Sequence, residues 1–107
     1  MFDRTSIAKA RKDPAFEEHA WLTFYLAGEP NQHFAMKPGL ELMKAFNLDE
    51  PYDGFVYAKV GVLVDEKHIE RCVAKVKKLA RNAGVQLVGI DLDSSPDEQS
   101  TFYTISN

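Results

Sequence analysis

Four carboxylates fall within Asp91-Leu92-Asp93-Ser94-Ser95-Pro96-Asp97-Glu98, and side chains of this kind serve either as oxygen ligands for a hard cation or as an acid and base pair. A calcium loop also needs a central glycine and a terminal bidentate glutamate at fixed spacing, and the stretch has neither. The simpler reading is an acidic turn at a strand end, formed by Asp91, Asp93, Asp97 and Glu98. His19, His33 and His68 lie in three separate segments, none four residues from another and none near Cys72, so no metal-ligand spacing exists. Cys72 falls among apolar helical positions and reads as a small buried hydrophobe. There is no G-x-S-x-G elbow for acyl transfer, and the scattered glycines match neither a P-loop nor a dinucleotide fingerprint. The expectation is a protein without catalytic residues, metal or cofactor.

Two surfaces carry more signal than any catalytic motif. Lys67, Arg71, Lys75 and Lys78 are spaced by four, four and three residues, so they share one helix face, with Lys77 and Arg81 beside it. Such a stripe suits a nucleic-acid backbone, and equally the solvent side of an amphipathic helix. The second surface is aromatic. If alternation holds along two strands, Trp21, Tyr25, Phe55 and Tyr57 project to one side of a sheet together with Lys59 and Leu63. At ~150 to 250 Å² per ring, four rings exceed the ~300 to 600 Å² patch usual on a soluble monomer. Three covers compete: an N-terminal helical arm contributing Ile7, Ala10 and Phe16, a second copy of the chain, or another protein. Stacking of single-stranded bases on these rings is a further use, although the glycine-aromatic signature of RNA-recognition modules is missing.

The elements that must position these residues are legible from period and punctuation. Thr5 to Lys12 reads as a short helix, and Asp13-Pro14 is a second helix start signal. Trp21 to Leu26 alternates as a strand closed by Gly28 and Pro30. Asn31 to Phe46 is helical in its second half, with Leu40, Leu42, Met43 and Phe46 as the apolar side; Pro38 and Gly39 interrupt a longer helix, so the start is Asn31 or Lys37. Residues 47 to 53 form a turn or an edge segment. Phe55 to Val64 alternates over its whole length. From Asp65 as N-cap, Ile69, Cys72, Val73, Val76, Leu79, Ala80 and Ala83 follow helical spacing to Gly84, the expected left-handed cap. Leu87 to Leu92 and Thr101 to Ser106 complete the strands.

This order predicts an α+β protein of ferredoxin-like sandwich type: a mainly antiparallel sheet, two helices on one face and an N-terminal helical arm over residues 1–20. The alternative is a three-stranded parallel sheet in which Trp21 to Leu26 and Phe55 to Val64 form a crossover pair. The 107 residues suffice for one domain with its own core, and 45% hydrophobic with 27% charged residues is ordinary globular composition. No stretch approaches the ~20 apolar residues of a membrane span. An N-terminus without an apolar block points to the cytoplasm. The net charge of −3 conceals a dipole, since residues 66–81 hold six basic and two acidic side chains whereas the C-terminal part is acidic.

The pattern resembles the regulator of ribonuclease activity B family, small bacterial inhibitors of ribonuclease E. The similarity runs over most of the chain: a short N-terminal helix, Asp13-Pro14 ahead of the strand at Trp21, a helix, the strand ending Val62-Leu63-Val64-Asp65, then Ile69, Leu79-Ala80 and a strand after Gly84. The family's Tyr-Asp-Gly-Trp signature follows its last helix; here Tyr52-Asp53-Gly54-Phe55 precedes the long strand. The resemblance implies a sandwich fold and a protein partner, a ribonuclease. The leading expectation is therefore a non-enzymatic regulator or inhibitor that binds protein, possible as a homodimer. A nucleic-acid-binding module built on residues 66–82 is the alternative, and a small immunity or counter-defence inhibitor the third.

Overall fold

A computed structural model describes residues 3–45, 55–95 and 101–106. In chain order the elements are α1 (Arg4–Lys12), β1 (His19–Ala27), α2 (Pro30–Leu42), β2 (Phe55–Leu63), α3 (Glu66–Ala83), β3 (Gln86–Asp93) and β4 (Phe102–Ser106). The four strands form one sheet in the order β2-β1-β3-β4. Every neighbouring pair is antiparallel. β2 and β3 run in the same direction and are joined through α3 with β1 between them, the split βαβ unit of a ferredoxin-like sandwich. The parallel-sheet alternative is thereby excluded, because β1 pairs antiparallel to β2 from His19↔Leu63 to Ala27↔Phe55.

The inner face takes alternate residues of the central strands: Ala20, Leu22, Phe24 and Leu26 of β1, Ala58, Val60 and Val62 of β2, and Ile90 and Leu92 of β3. Against them pack Ile69, Cys72, Val73, Val76 and Ala80 of α3 and Met36 and Leu40 of α2. α3 is set by the signals that its sequence carries. The Asp65 side chain accepts from the His68 backbone N–H at its start, and Gly84 at φ 76° closes its end, where a side chain on an L-residue would be strained.

Three expectations about α2 and the segment after Asp13 need correction. α2 is continuous through Pro38, although proline removes one hydrogen bond of the helical ladder. Met36 and Leu40, buried on either side of it, hold the two halves against the core. Gly39 is placed where α2 crosses α3: a Cβ there would lie 2.5 Å from Leu79 Cδ2, so the close approach of the two helices needs a residue without one. Leu42, assigned to the apolar side, is instead 87% exposed. No second helix follows Asp13-Pro14; Asp13 Oδ1 accepts from the Ala15 N–H at 2.9 Å and makes a turn.

The position of α1 removes one of the three competing covers of the aromatic face. Ile7, Ala10 and Phe16 enter the same core as α2 and α3, so α1 lies on the helical side and does not cover the aromatic face. Its position is tied by Arg4, which bridges Glu66 at 2.9 Å and Glu70 at 3.0 Å on α3. α1 also closes the edge of the sheet: the Asp3 N–H donates to the Ile105 carbonyl at 2.7 Å, and Ser6 Oγ to the Thr104 carbonyl at 3.2 Å. Carbonyls of an edge strand are thus satisfied within the chain. The expected edge segment 47–53, Phe46, Asp97, Glu98 and the side chain of Phe55 lie outside the described residues.

Candidate functional site

With all three helices on one side, the opposite face of the sheet is the surface that no other described element packs against. Strand register arranges its side chains in rows across the strands. Tyr57, Tyr25 and Gly89 form one row; Lys59, Thr23, Asp91 and Thr104 the next; Gly61, Trp21, Asp93 and Phe102 the third. Asp91 and Asp93 therefore belong to β3, not to an acidic turn, and being two residues apart they project from the same face. The strand extends one residue past the expected end because Asp93 still pairs with both Trp21 and Phe102.

Hydrogen bonds run diagonally between these rows. Tyr25 Oη donates to Asp91 Oδ2 at 2.5 Å, and Thr23 Oγ1 donates to Asp93 Oδ2. Thr23 and Asp93 are only 4% and 7% exposed, so this pair is buried on a face that is otherwise open. Burial pushes the Asp93 carboxyl above its ordinary value, against the opposing pull of the Thr23 hydroxyl and the Lys59 ammonium. The Tyr25 phenol is likewise pushed up, first by burial and then by its bond to Asp91. A carboxylate accepting from a hydroxyl inside such a row fixes the orientation of both groups. Asp93 is thus largely shielded from solvent.

The aromatic rings cover one another in part, which reduces the apolar area that the sequence suggests. Tyr25 and Tyr57 pack edge to face, centroids 5.1 Å apart at 83°. The Trp21 indole lies across Gly61, where a Cβ would come within 3.2 Å of ring carbon Cζ3. A side chain at Gly61 would lift the ring, so the glycine lets the indole lie flat on the sheet. Trp21, Tyr25, Tyr57 and Lys59 are all half-buried. Among the described residues the most exposed apolar side chain on this face is Phe102 at its β4 edge, 58% exposed, which the sequence reading did not single out.

Two register irregularities shape the middle of the face. Tyr25 pairs with Gly89 and Leu26 with Leu87, leaving Val88 as an extra residue. On the other side of β3, Ile90 pairs with Ser106 and Asp91 with Thr104, leaving Ile105 extra. β-Bulges bend a strand and re-aim its side chains. Here they flank an open groove of about 330 Å³ lined by Tyr25, Tyr57, Val88, Gly89, Asp91, Thr104 and Ser106. Of these, sequence reasoning singled out Tyr25, Tyr57 and Asp91; Gly89 and Thr104 become visible only when β3 is paired with its neighbours.

The remaining candidates are dispersed. Lys67, Arg71, Lys75 and Lys78 are all exposed on α3. Cys72 is buried, and burial pushes its thiol to about 11, far from the reactive thiolate. His68 Nδ1 accepts from the Leu63 N–H at 2.9 Å beside the α3 cap. Both His33 ring nitrogens are shielded from solvent without a hydrogen-bond partner among the described residues. Among those residues no group of three or more His, Cys, Asp or Glu is placed to hold a metal ion. No described helix is long and apolar enough to cross a membrane.

Fold and face together define an α+β sandwich whose helices share one side of the sheet and whose other side presents aromatic, hydroxyl and carboxylate groups. Comparison with protein-family models, characterised proteins and solved structures gives no match.

Proposed function

We propose that the chain is a cytoplasmic, non-enzymatic regulator that binds another protein through the sheet face bearing Trp21, Tyr25, Tyr57 and Lys59. The observation that carries this reading is the position of α1, which leaves that face without a cover among the described residues. Tryptophan and tyrosine dominate binding energy at protein interfaces because they combine large contact area with little rotamer entropy. The internal hydrogen bonds of Tyr25, Asp91, Thr23 and Asp93 hold the surface in place before a partner arrives. The pattern shared with the regulator of ribonuclease activity B family makes ribonuclease E the first partner to test.

Replacing Trp21 and Tyr57 together by alanine is expected to weaken association by at least about 30-fold, as befits two interface anchors, with the circular dichroism spectrum unchanged. Undiminished binding by the folded double variant moves the contact surface elsewhere.

A second reading is favoured by α3, where Lys67, Arg71, Lys75 and Lys78 are exposed and make no ion pair among the described residues. Such a stripe fits a phosphate backbone. It requires nucleic-acid affinity that falls steeply with salt through counterion release, and absence of binding at low salt removes it.

A further inference from the structure

The groove between the two bulges has a chemistry more specific than a flat protein contact. It lies where Gly89, having no side chain, leaves an opening in the row that Tyr57 and Tyr25 begin. Its wall is aromatic on one side, and on the other it meets Thr104 and the Ser106 carbonyl, which lies 3.5 Å from where a Cβ on Gly89 would stand. Asp91 projects into it with one oxygen engaged by Tyr25. An ionised carboxylate offers about four lone-pair sites, so one phenol leaves acceptor capacity unused. Among the described residues the charge of the face is also unbalanced, with two carboxylates, Asp91 and Asp93, against one ammonium, Lys59, which draws on Asp93.

We infer that this groove receives an arginine side chain projecting from the surface of the protein partner. A guanidinium is planar, carries five N–H donors and no acceptor, stacks on aromatic faces and pairs with carboxylates. The groove presents the complementary set: tyrosine rings for its face, Asp91 for a charge-assisted bond, and oxygens of Thr104 and the Ser106 carbonyl for the remaining donors. A phosphate or a carboxylate ligand meets repulsion from Asp91 and Asp93 instead. Among the described residues the groove is open along the sheet, so a side chain carried on another protein enters without any movement of the strands. The inference rests on the sheet face being the contact surface and names what that surface recognises.

The test uses the full chain and a defined probe, the blocked tripeptide Gly-Arg-Gly, against the same peptide with citrulline, which keeps the shape and loses the charge. Followed by amide chemical shifts, the arginine peptide is expected to give saturable changes at Gly89, Asp91 and Thr104 in the millimolar range, with citrulline at least about tenfold weaker. Asp91→Asn retains an acceptor for Tyr25 and is expected to weaken the arginine peptide about tenfold. Gly89→Ala serves as the second variant. Its Cβ would lie 3.5 Å from Tyr25 Cδ2 and from the Ser106 carbonyl, ordinary contact, so the fold is kept while the opening is filled. The inference is overturned by the absence of saturable shifts at the groove, by equal response to citrulline, or by wild-type titration of both variants. If arginine is ignored while Trp21→Ala/Tyr57→Ala still releases the partner, this occupant falls and the sheet-face reading stands. If arginine binds at the groove while that double variant holds the partner normally, the groove has the chemistry described but the partner does not use it, and the inference falls with the sheet-face reading.

Discussion

Phe24 and Tyr25 are neighbours on β1, and the chain passes between them from one face of the sheet to the other. Phe24 is wholly buried between Ala58 and Ile90, facing the helices. Tyr25 is half-exposed between Tyr57 and Gly89, its hydroxyl held by Asp91. Inside, apolar side chains fill the space; outside, Thr23, Tyr25, Tyr57, Asp91 and Asp93 each have a hydrogen-bonding or edge-to-face partner. The inner face is therefore stabilised by removal of apolar area from water, and the outer one by directional contacts that fix a surface. A single run of alternating residues specifies a core on one side and a recognition surface on the other.

The sharpest way to break that comparison is to truncate one residue on each side. Phe24→Ala is expected to cost about 3 to 5 kcal/mol, which removes most of the stability of a domain this size. Tyr57→Ala is expected to cost only about 0.5 to 1.5 kcal/mol, chiefly its edge contact with Tyr25. Urea denaturation of the two variants measures both. A Tyr57→Ala loss as large as that of Phe24→Ala would mean the outer face is itself packed.

A smaller effect separates the flat indole from an upright one. Gly61→Leu is expected to raise Trp21 off the sheet, shift its fluorescence emission to longer wavelength and increase acrylamide quenching, with little change in unfolding midpoint. Trp21 is the single tryptophan, so the signal is unambiguous. Unaltered emission would place the ring elsewhere.

The smallest effect is electrostatic and has a definite sign. A carboxyl whose pKa is raised by folding, as Asp93's is, favours the folded state when protonated; its cost is absent below the ordinary value and grows as pH rises through the folded one. Asp93→Asn is expected to raise the melting temperature modestly at pH 7, with the gain vanishing below about 3.8, the ordinary carboxyl value. Asp3 and Asp13 act in the opposite direction. Asp3 is lowered chiefly by the Ser6 hydroxyl and Asp13 by the Ala15 N–H, so their contribution is present above the ordinary value and is lost as pH falls through the lowered one. A gain from Asp93→Asn that persists at pH 3 would contradict the burial cost assigned to Asp93.

Legibility in the sequence follows locality. α3 was readable from end to end because cap, period and left-handed glycine lie within one segment, and β1 and β2 because alternation is local. The class of fold follows from their order. The path of α2 through Pro38 and Gly39 is not legible, since the core against which Met36 and Leu40 pack and the helix it approaches at Leu79 are distant in sequence. The side chosen by α1 is likewise decided by remote partners, Glu66, Glu70, Thr104 and Ile105, that its own pattern of Ile7 and Ala10 does not reveal. At the site, the aromatic residues were apparent from alternation. Their groove was not, because it depends on one extra residue in each of β3 and β4, and a bulge exists only relative to the strand opposite.

The most direct measurement is hydroxyl-radical footprinting of the purified chain, alone and with its bound protein partner, read at Trp21, Tyr25 and Tyr57 and along α3. An open recognition face requires oxidation of these three rings in the free chain and their protection in the complex, with α3 unchanged. Rings already protected in the free chain, or protection confined to Glu66–Ala83, would contradict it.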